Sequence, residues 1–223
     1  MRFFIGEKLY NYSEEQLSIQ MLNHGDESDV YRIKGKAVKI YKPFCPKKRL
    51  DEKTVEYFKT IDTQRILLPI ETVYDENRRF NGYTTQLVEE GCKSNIAKMK
   101  MSKMLSEIKL MTEDVEMLSE LGITIDDLGY RDVLYGDGLY FCDPGSFTIE
   151  RYMSPKDIKY YNKEKLHELI IDEILGPTCK LTKKQKYSLK EMTLGGDYLS
   201  DIFSYENYNI NESASHYVKR ITK

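Results

Sequence analysis

The chain has 223 residues and a mass of 26.2 kDa, with 40% hydrophobic and 31% charged residues, which suits a globular protein with a buried core and not a disordered chain. A formal net charge of -2, from 34 basic and 36 acidic side chains, gives no general attraction to nucleic acid or to an anionic membrane. No apolar run approaches the roughly 18 residues a bilayer-spanning helix needs, and charges follow the opening Met1 to Gly6 too soon for a signal-peptide core.

The cysteines, Cys45, Cys92, Cys142 and Cys179, form no CxxC pair, so the expectation is reduced thiols in a cytoplasmic protein, with no zinc site. The absence of Trp beside much Tyr, Lys, Asn and Ile points to an AT-rich bacterial or phage genome. One local basic cluster stands out at Lys180, Lys183, Lys184 and Lys186.

In chain order, residues 17–22 read as a strand and 23–28 as a turn. Extended segments follow at 30–33 and 37–41, with Lys34-Gly35 turning between them. Pro43 and Pro46 break the chain, and Leu50, Val55, Phe58 and Ile61 form an apolar stripe that predicts a helix over 47–61. Strands over 66–74 and 80–88 complete this part, and 89–91 reads as a junction. Beyond it, Met101, Met104, Leu105, Ile108, Met111, Val115 and Leu118 write a core-facing helix over 98–121.

A polar loop, 124–132, then leads into a hairpin, Val133-Leu134-Tyr135 and Leu139-Tyr140-Phe141-Cys142 about an Asp-Gly turn. Ser154-Pro155 opens a helix as cap and first-turn proline. A further helix over 166–174 is expected to stop at Gly176-Pro177, and 183–203 reads as helical on both sides of Gly195-Gly196. His24, His167 and His216 have no partners at ligand spacing and are expected at the surface. The class is α+β: a sheet-rich lobe over 1–90 and a helical lobe over 91–223, with the default ligand site where two such lobes face each other.

The chemistry concentrates at the hairpin. Asp127 and Asp132 precede it and Asp143-Pro144-Gly145 follows it, so three carboxylates sit at the ends of one rigid element. Magnesium on nucleotide phosphates takes one or two carboxylates plus phosphate oxygens, so this spacing suits it.

These residues resemble the protein-kinase-like superfamily. Asp127-Leu128, three residues and Asp132 are similar to its catalytic loop, and Asp143-Pro144-Gly145 to its Asp-Phe-Gly metal motif. Asn23, Gly25, Ser28 and Val30 fall on its glycine-rich loop, and Ala37-Val38-Lys39 on its lysine strand. The resemblance implies ATP and Mg as ligands, Asp127 as catalytic base, and Asp132 and Asp143 on the metal. It further implies Gly25, Ser28 and Val30 around the phosphates, Lys39 on the α- and β-phosphates, and Glu56 (with Glu52 as rival) orienting Lys39. Gln86 and Val88 lie in the stretch 86–90 that it places against adenine.

The departures are equally specific. Asp126 stands where the family has Arg, Asp132 where it has Asn, and Pro144 where it has Phe, and no Ala-Pro-Glu follows. The resulting expectation is a two-lobed kinase-like fold transferring a phosphoryl group to a hydroxyl, on a protein Ser or Thr rather than a small molecule. A pseudokinase that binds nucleotide without turnover, and an interaction domain that binds none, are the alternatives.

Overall fold

The structure is a computed structural model that describes residues 1–43, 50–89, 91, 93–127, 129–193, 198–199, 201, 203 and 211–222. It is α+β and divides into two compact units. Unit 1 comprises Met1–Thr63, Leu67–Val88 and Asp143–Ser146; unit 2 comprises Gln64–Ile66, Glu89–Cys142 and Phe147–Lys223. The division near residue 90 therefore carries two short exchanges that the sequence does not announce.

Unit 1 is built on seven antiparallel strands: β1 (Arg2–Ile5), β2 (Lys8–Asn11), β3 (Met21–His24), β4 (Ser28–Ile33), β5 (Lys36–Tyr41), β6 (Glu71–Asp75) and β7 (Phe80–Gln86), in the order β2-β1-β6-β7-β5-β4-β3. Alternation sends Tyr31, Ile33, Val38, Ile40 and Val73 to one face, where they pack with Phe3, Ile5 and Leu17. The other face carries Val30, Lys39 and Tyr83, neighbours in register across β4, β5 and β7.

Residues 17–22, expected as a strand, are mostly helical. Ser13 accepts the N–H of Gln16, and the Gln16 side chain accepts the N–H of Ser13; this capping box starts α1 (Glu14–Gln20), which delivers Leu17 to the core. The strand expected over 66–74 begins only at Glu71, because Pro69 has no N–H to give a ladder. Helix α2 (Glu52–Phe58) is capped by Asp51, which accepts the Thr54 N–H at 2.7 Å, and it buries Val55 and Phe58. The first part of the helix predicted over 47–61 lies partly outside the described residues.

One glycine in the sheet is obligatory. Gly82 has φ +150° beside a register shift between Val73 and Tyr74, and a Cβ there would overlap the carbonyl oxygen of Lys39.

In unit 2, α3 (Met101–Glu120) buries the seven apolar residues its spacing picked out. Strands β8 (Ile123–Thr124), β9 (Val133–Tyr135), β10 (Leu139–Phe141) and β11 (Thr148–Ile149) form two small pairs, β9 with β10 as predicted and β8 with β11. Asp114, fully buried on α3, accepts the backbone N–H groups of Gln64, Arg65 and Ile66 at 2.9, 2.6 and 2.9 Å. Arg65 pairs with buried Glu107 at 2.6 Å, which also takes the Leu139 N–H at 3.0 Å. These bonds explain why 64–66 groups with unit 2.

Helix α4 (Pro155–Glu168) starts at its Ser154 cap, as expected. It continues as a π-helix over Leu169–Leu175 and then as α5 (Gly176–Cys179), so Gly176-Pro177 does not stop it. Proline is tolerated at the start of a new turn, where its missing N–H is not needed. The stop comes at Lys180, in the left-handed conformation at φ 54°. Then come α6 (Lys183–Thr193) and α7 (Ala214–Ile221). The Gly195-Gly196 break lies outside the described residues. Among the described residues no helix is long and apolar enough to cross a membrane.

His167 is not at the surface. It is 3% exposed, neither ring nitrogen has a hydrogen-bond partner among the described residues, and its ring meets Tyr198 edge-on at 6.0 Å. Burial, with Lys163 nearby, pulls its pKa down to about 4.

Two outcomes follow. Gly82→Ala should destabilise the protein by more than about 2 kcal/mol, read from the urea midpoint. The neutral form of His167 is favoured by folding, so its contribution is intact above the unfolded pKa near 6.5 and is lost as pH falls toward about 4. His167→Leu should therefore gain relative stability over that window, on the order of 3 kcal/mol at its acid end, in urea titrations at each pH.

Candidate functional site

Lys39 lies on β5 with a strand on each side, so its side chain leaves the sheet at a fixed position. Its Nζ reaches Asp143 Oδ1 at 2.5 Å and lies 5.7 Å from the centre of the Tyr83 ring. The side chains are 12% and 44% exposed respectively, so the ammonium is largely enclosed while the carboxylate keeps an open side. Asp143 is held by its own turn. It has φ 71°, Oδ1 also accepts the Gly145 N–H at 3.2 Å, and buried Pro144 opens a 3-10 turn over Pro144–Ser146. Two residues singled out separately in the sequence are thus a contact pair within unit 1.

Val30 stands directly opposite Lys39 on β4. The turn before it joins β3 to β4. Gly25 donates its N–H to the Ser28 carbonyl at 3.0 Å, and a Cβ on Gly25 would sit 3.1 Å from that same oxygen. Ser28 is buried.

Lys42 braces this turn. Its Nζ donates to the Gly25 carbonyl at 2.5 Å and lies 3.3 Å from both His24 Nε2 and Asp29 Oδ1. The ammonium thus donates to one carbonyl and pairs with one carboxylate. Asp29 also meets His24 Nδ1 at 2.8 Å. The tip between them carries Asp26 and Glu27, charges that oppose a phosphate.

The glutamate expected to orient Lys39 does not do so. Glu56 holds Lys59 with both oxygens at 2.8 Å, and Glu52 accepts from the Tyr74 hydroxyl at 2.8 Å. The cause is helical phase. Val55 and Phe58 take the buried face of α2, which leaves Glu56 48% exposed. Gln86 ends β7 opposite Lys36 and is exposed, and Val88 is half-buried two residues on. Glu90, at the end of the stretch expected to meet adenine, lies outside the described residues.

In unit 2, Asp127 is exposed and adopts a left-handed backbone at φ 53°, which Asp tolerates better than most residues. Asp132 is half-buried. Its Oδ2 accepts the Gly129 N–H at 3.2 Å, and its carbonyl accepts the Cys142 N–H at 2.8 Å. The loop from 123 to 132 is held by side chains that the sequence did not reveal. Fully buried Asn162 on α4 accepts the Ile125 N–H at 2.8 Å and donates to the Ile123 carbonyl at 2.7 Å. Glu173 accepts the Tyr130 N–H at 3.1 Å, and the Tyr161 hydroxyl donates to Asp126. That bond to a carboxylate, with burial, pushes the Tyr161 hydroxyl up to about 12.

A nucleotide-bound magnesium needs one or two protein carboxylates, and the half-exposed Asp143 meets the chemistry of one. Lys39, a localised cation on a rigid strand, meets the chemistry of a phosphate partner. Among the described residues, no group of three or more His, Cys, Asp or Glu side chains is disposed to hold a metal by itself.

The enclosure of this pair is unequal, and so are the expected costs of breaking it. Asp143→Asn, which tolerates the positive φ, leaves an enclosed ammonium without its counter-charge and should cost about 1–2 kcal/mol. Lys39→Met leaves a carboxylate that water reaches and should cost less than about 1 kcal/mol. Urea unfolding of the two variants checks the order.

The chain matches no protein-family model, and no curated protein matches it.

Proposed function

We propose that this chain is a phosphotransferase of the protein-kinase-like type, binding ATP with magnesium and passing the γ-phosphoryl group to a hydroxyl. The observation that carries this reading is the 2.5 Å contact between Lys39 and Asp143, residues 104 positions apart. The motif order along the chain, the register of Val30 against Lys39, and the hairpin after Asp132 support it.

In this reading Lys39 neutralises charge on the α- and β-phosphates, and the residues around Gly25 and Ser28 bound the phosphate end. Asp143 and Asp132 are the residues that would hold magnesium, which would supply positive charge to the phosphate oxygens. Asp127 accepts the proton of the attacking hydroxyl. The hydroxyl oxygen bonds to the γ-phosphorus, the bond from that phosphorus to the β–γ bridging oxygen breaks, and ADP leaves with the electron pair. The acceptor is a Ser or Thr hydroxyl of a protein.

A second reading, a nucleotide-binding pseudokinase, draws on two observations. Asp26 and Glu27 crowd the turn with negative charge, and Glu56 is engaged with Lys59 instead of Lys39.

Labelled ATP with magnesium and a mixed protein acceptor separates the readings. Transfer by wild type, a roughly 10²–10⁴-fold loss in Asp127→Asn with ATP affinity kept, and weakened affinity in Lys39→Met are expected. Binding without transfer would favour the pseudokinase, and no binding of adenine nucleotide at millimolar concentration would end both readings.

A further inference from the structure

Two adjacent acids, Asp126 and Asp127, lie in the loop before the hairpin, and their surroundings differ. Asp126 is half-buried and accepts the Tyr161 hydroxyl, whereas Asp127 is exposed with a left-handed backbone. A left-handed non-glycine residue is strained and persists only where its neighbours are held. Helix α4 supplies two consecutive residues for this. Asn162 fixes the backbone at Ile123 and Ile125, and Tyr161 fixes the side chain of Asp126. On the far side of Asp127, Glu173 fixes the N–H of Tyr130, and Asp132 fixes that of Gly129.

Of these ties, the one from Tyr161 reaches the residue next to Asp127, and it engages one member of the acid pair only. We propose that Tyr161 is a positioning residue: by holding Asp126 it keeps that carboxylate out of the chemistry and presents Asp127 as the base. This rests on the phosphotransferase reading.

Asp126 stands where the resemblance leads one to expect an arginine, and here that position is held by a hydrogen bond from the phenol of α4. A hydrogen bond to a charged acceptor is among the stronger ones, and a small misplacement of a reacting group is costly in rate.

The test compares wild type with Tyr161→Phe, Asp126→Ala and the double variant. The phenylalanine variant keeps the ring and removes only the hydroxyl. Two quantities are read: exchange of the Gly129 and Tyr130 amides with deuterium, and steady-state transfer from ATP. In Tyr161→Phe these amides should exchange about tenfold faster while α3 stays protected. The turnover number should fall by roughly tenfold to a hundredfold with the KM for ATP within about twofold. Because the two residues act through one bond, Asp126→Ala and the double variant should show the same loss as Tyr161→Phe.

Unchanged exchange, losses that add in the double variant, or a change in KM alone would overturn the proposal. A wild-type protein that transfers nothing would sink the functional reading instead. The amide exchange would then still decide whether Tyr161 positions the loop.

Discussion

The ion pair between Lys39 and Asp143 is the constraint on which the rest of the site depends. It brings a short segment from late in the chain into the sheet unit, since Asp143–Ser146 group with the strands and not with the residues on either side of them. A lysine so enclosed requires a counter-charge, and a counter-charge so exposed retains capacity for another ligand. The supporting parts are all local: the flanking strands fix Lys39, and the Pro144 turn with the Gly145 N–H fixes Asp143.

Where periodicity and burial coincide, the fold was legible. The Met stripe of α3, the β9–β10 hairpin and the Ser154 cap of α4 each announce themselves through one dominant local rule. Elsewhere two rules competed. Around Leu17 a strand was expected, but the reciprocal bonds of Ser13 and Gln16 start a short helix, with β3 directly after it. At Gly176-Pro177 a strong stop signal was overridden, because Ile174, Leu175 and Cys179 are buried and the π-helix carries the chain across. Strands β1 and β2 are too short for their pattern to exceed noise; they are strands because β1 pairs with β6.

For the site, legibility tracked whether a residue acts through its own type and position or through a distant partner. Lys39 and Asp143 were singled out from spacing, and the two side chains are in contact. Glu56 was a choice among acids on one helix, and helical phase, which depends on where Val55 and Phe58 are buried, decided against it. Asn162, Tyr161 and Glu173 had no signature, because each is defined only by the backbone or acid that it meets some 35 to 43 positions away. His167 looked like any surface histidine until packing enclosed it.

The brace formed by Lys42 has a wider meaning for reading such chains. The turn between β3 and β4 carries one glycine, Gly25. Yet one ammonium draws the Gly25 carbonyl, His24 and Asp29 toward itself, so the shape that glycine freedom permits elsewhere is imposed here by charge. Rigidity has moved from the main chain to a side chain. It thereby becomes something a single acylation of Lys42 could relax, whereas no modification can loosen a turn whose shape resides in its glycines.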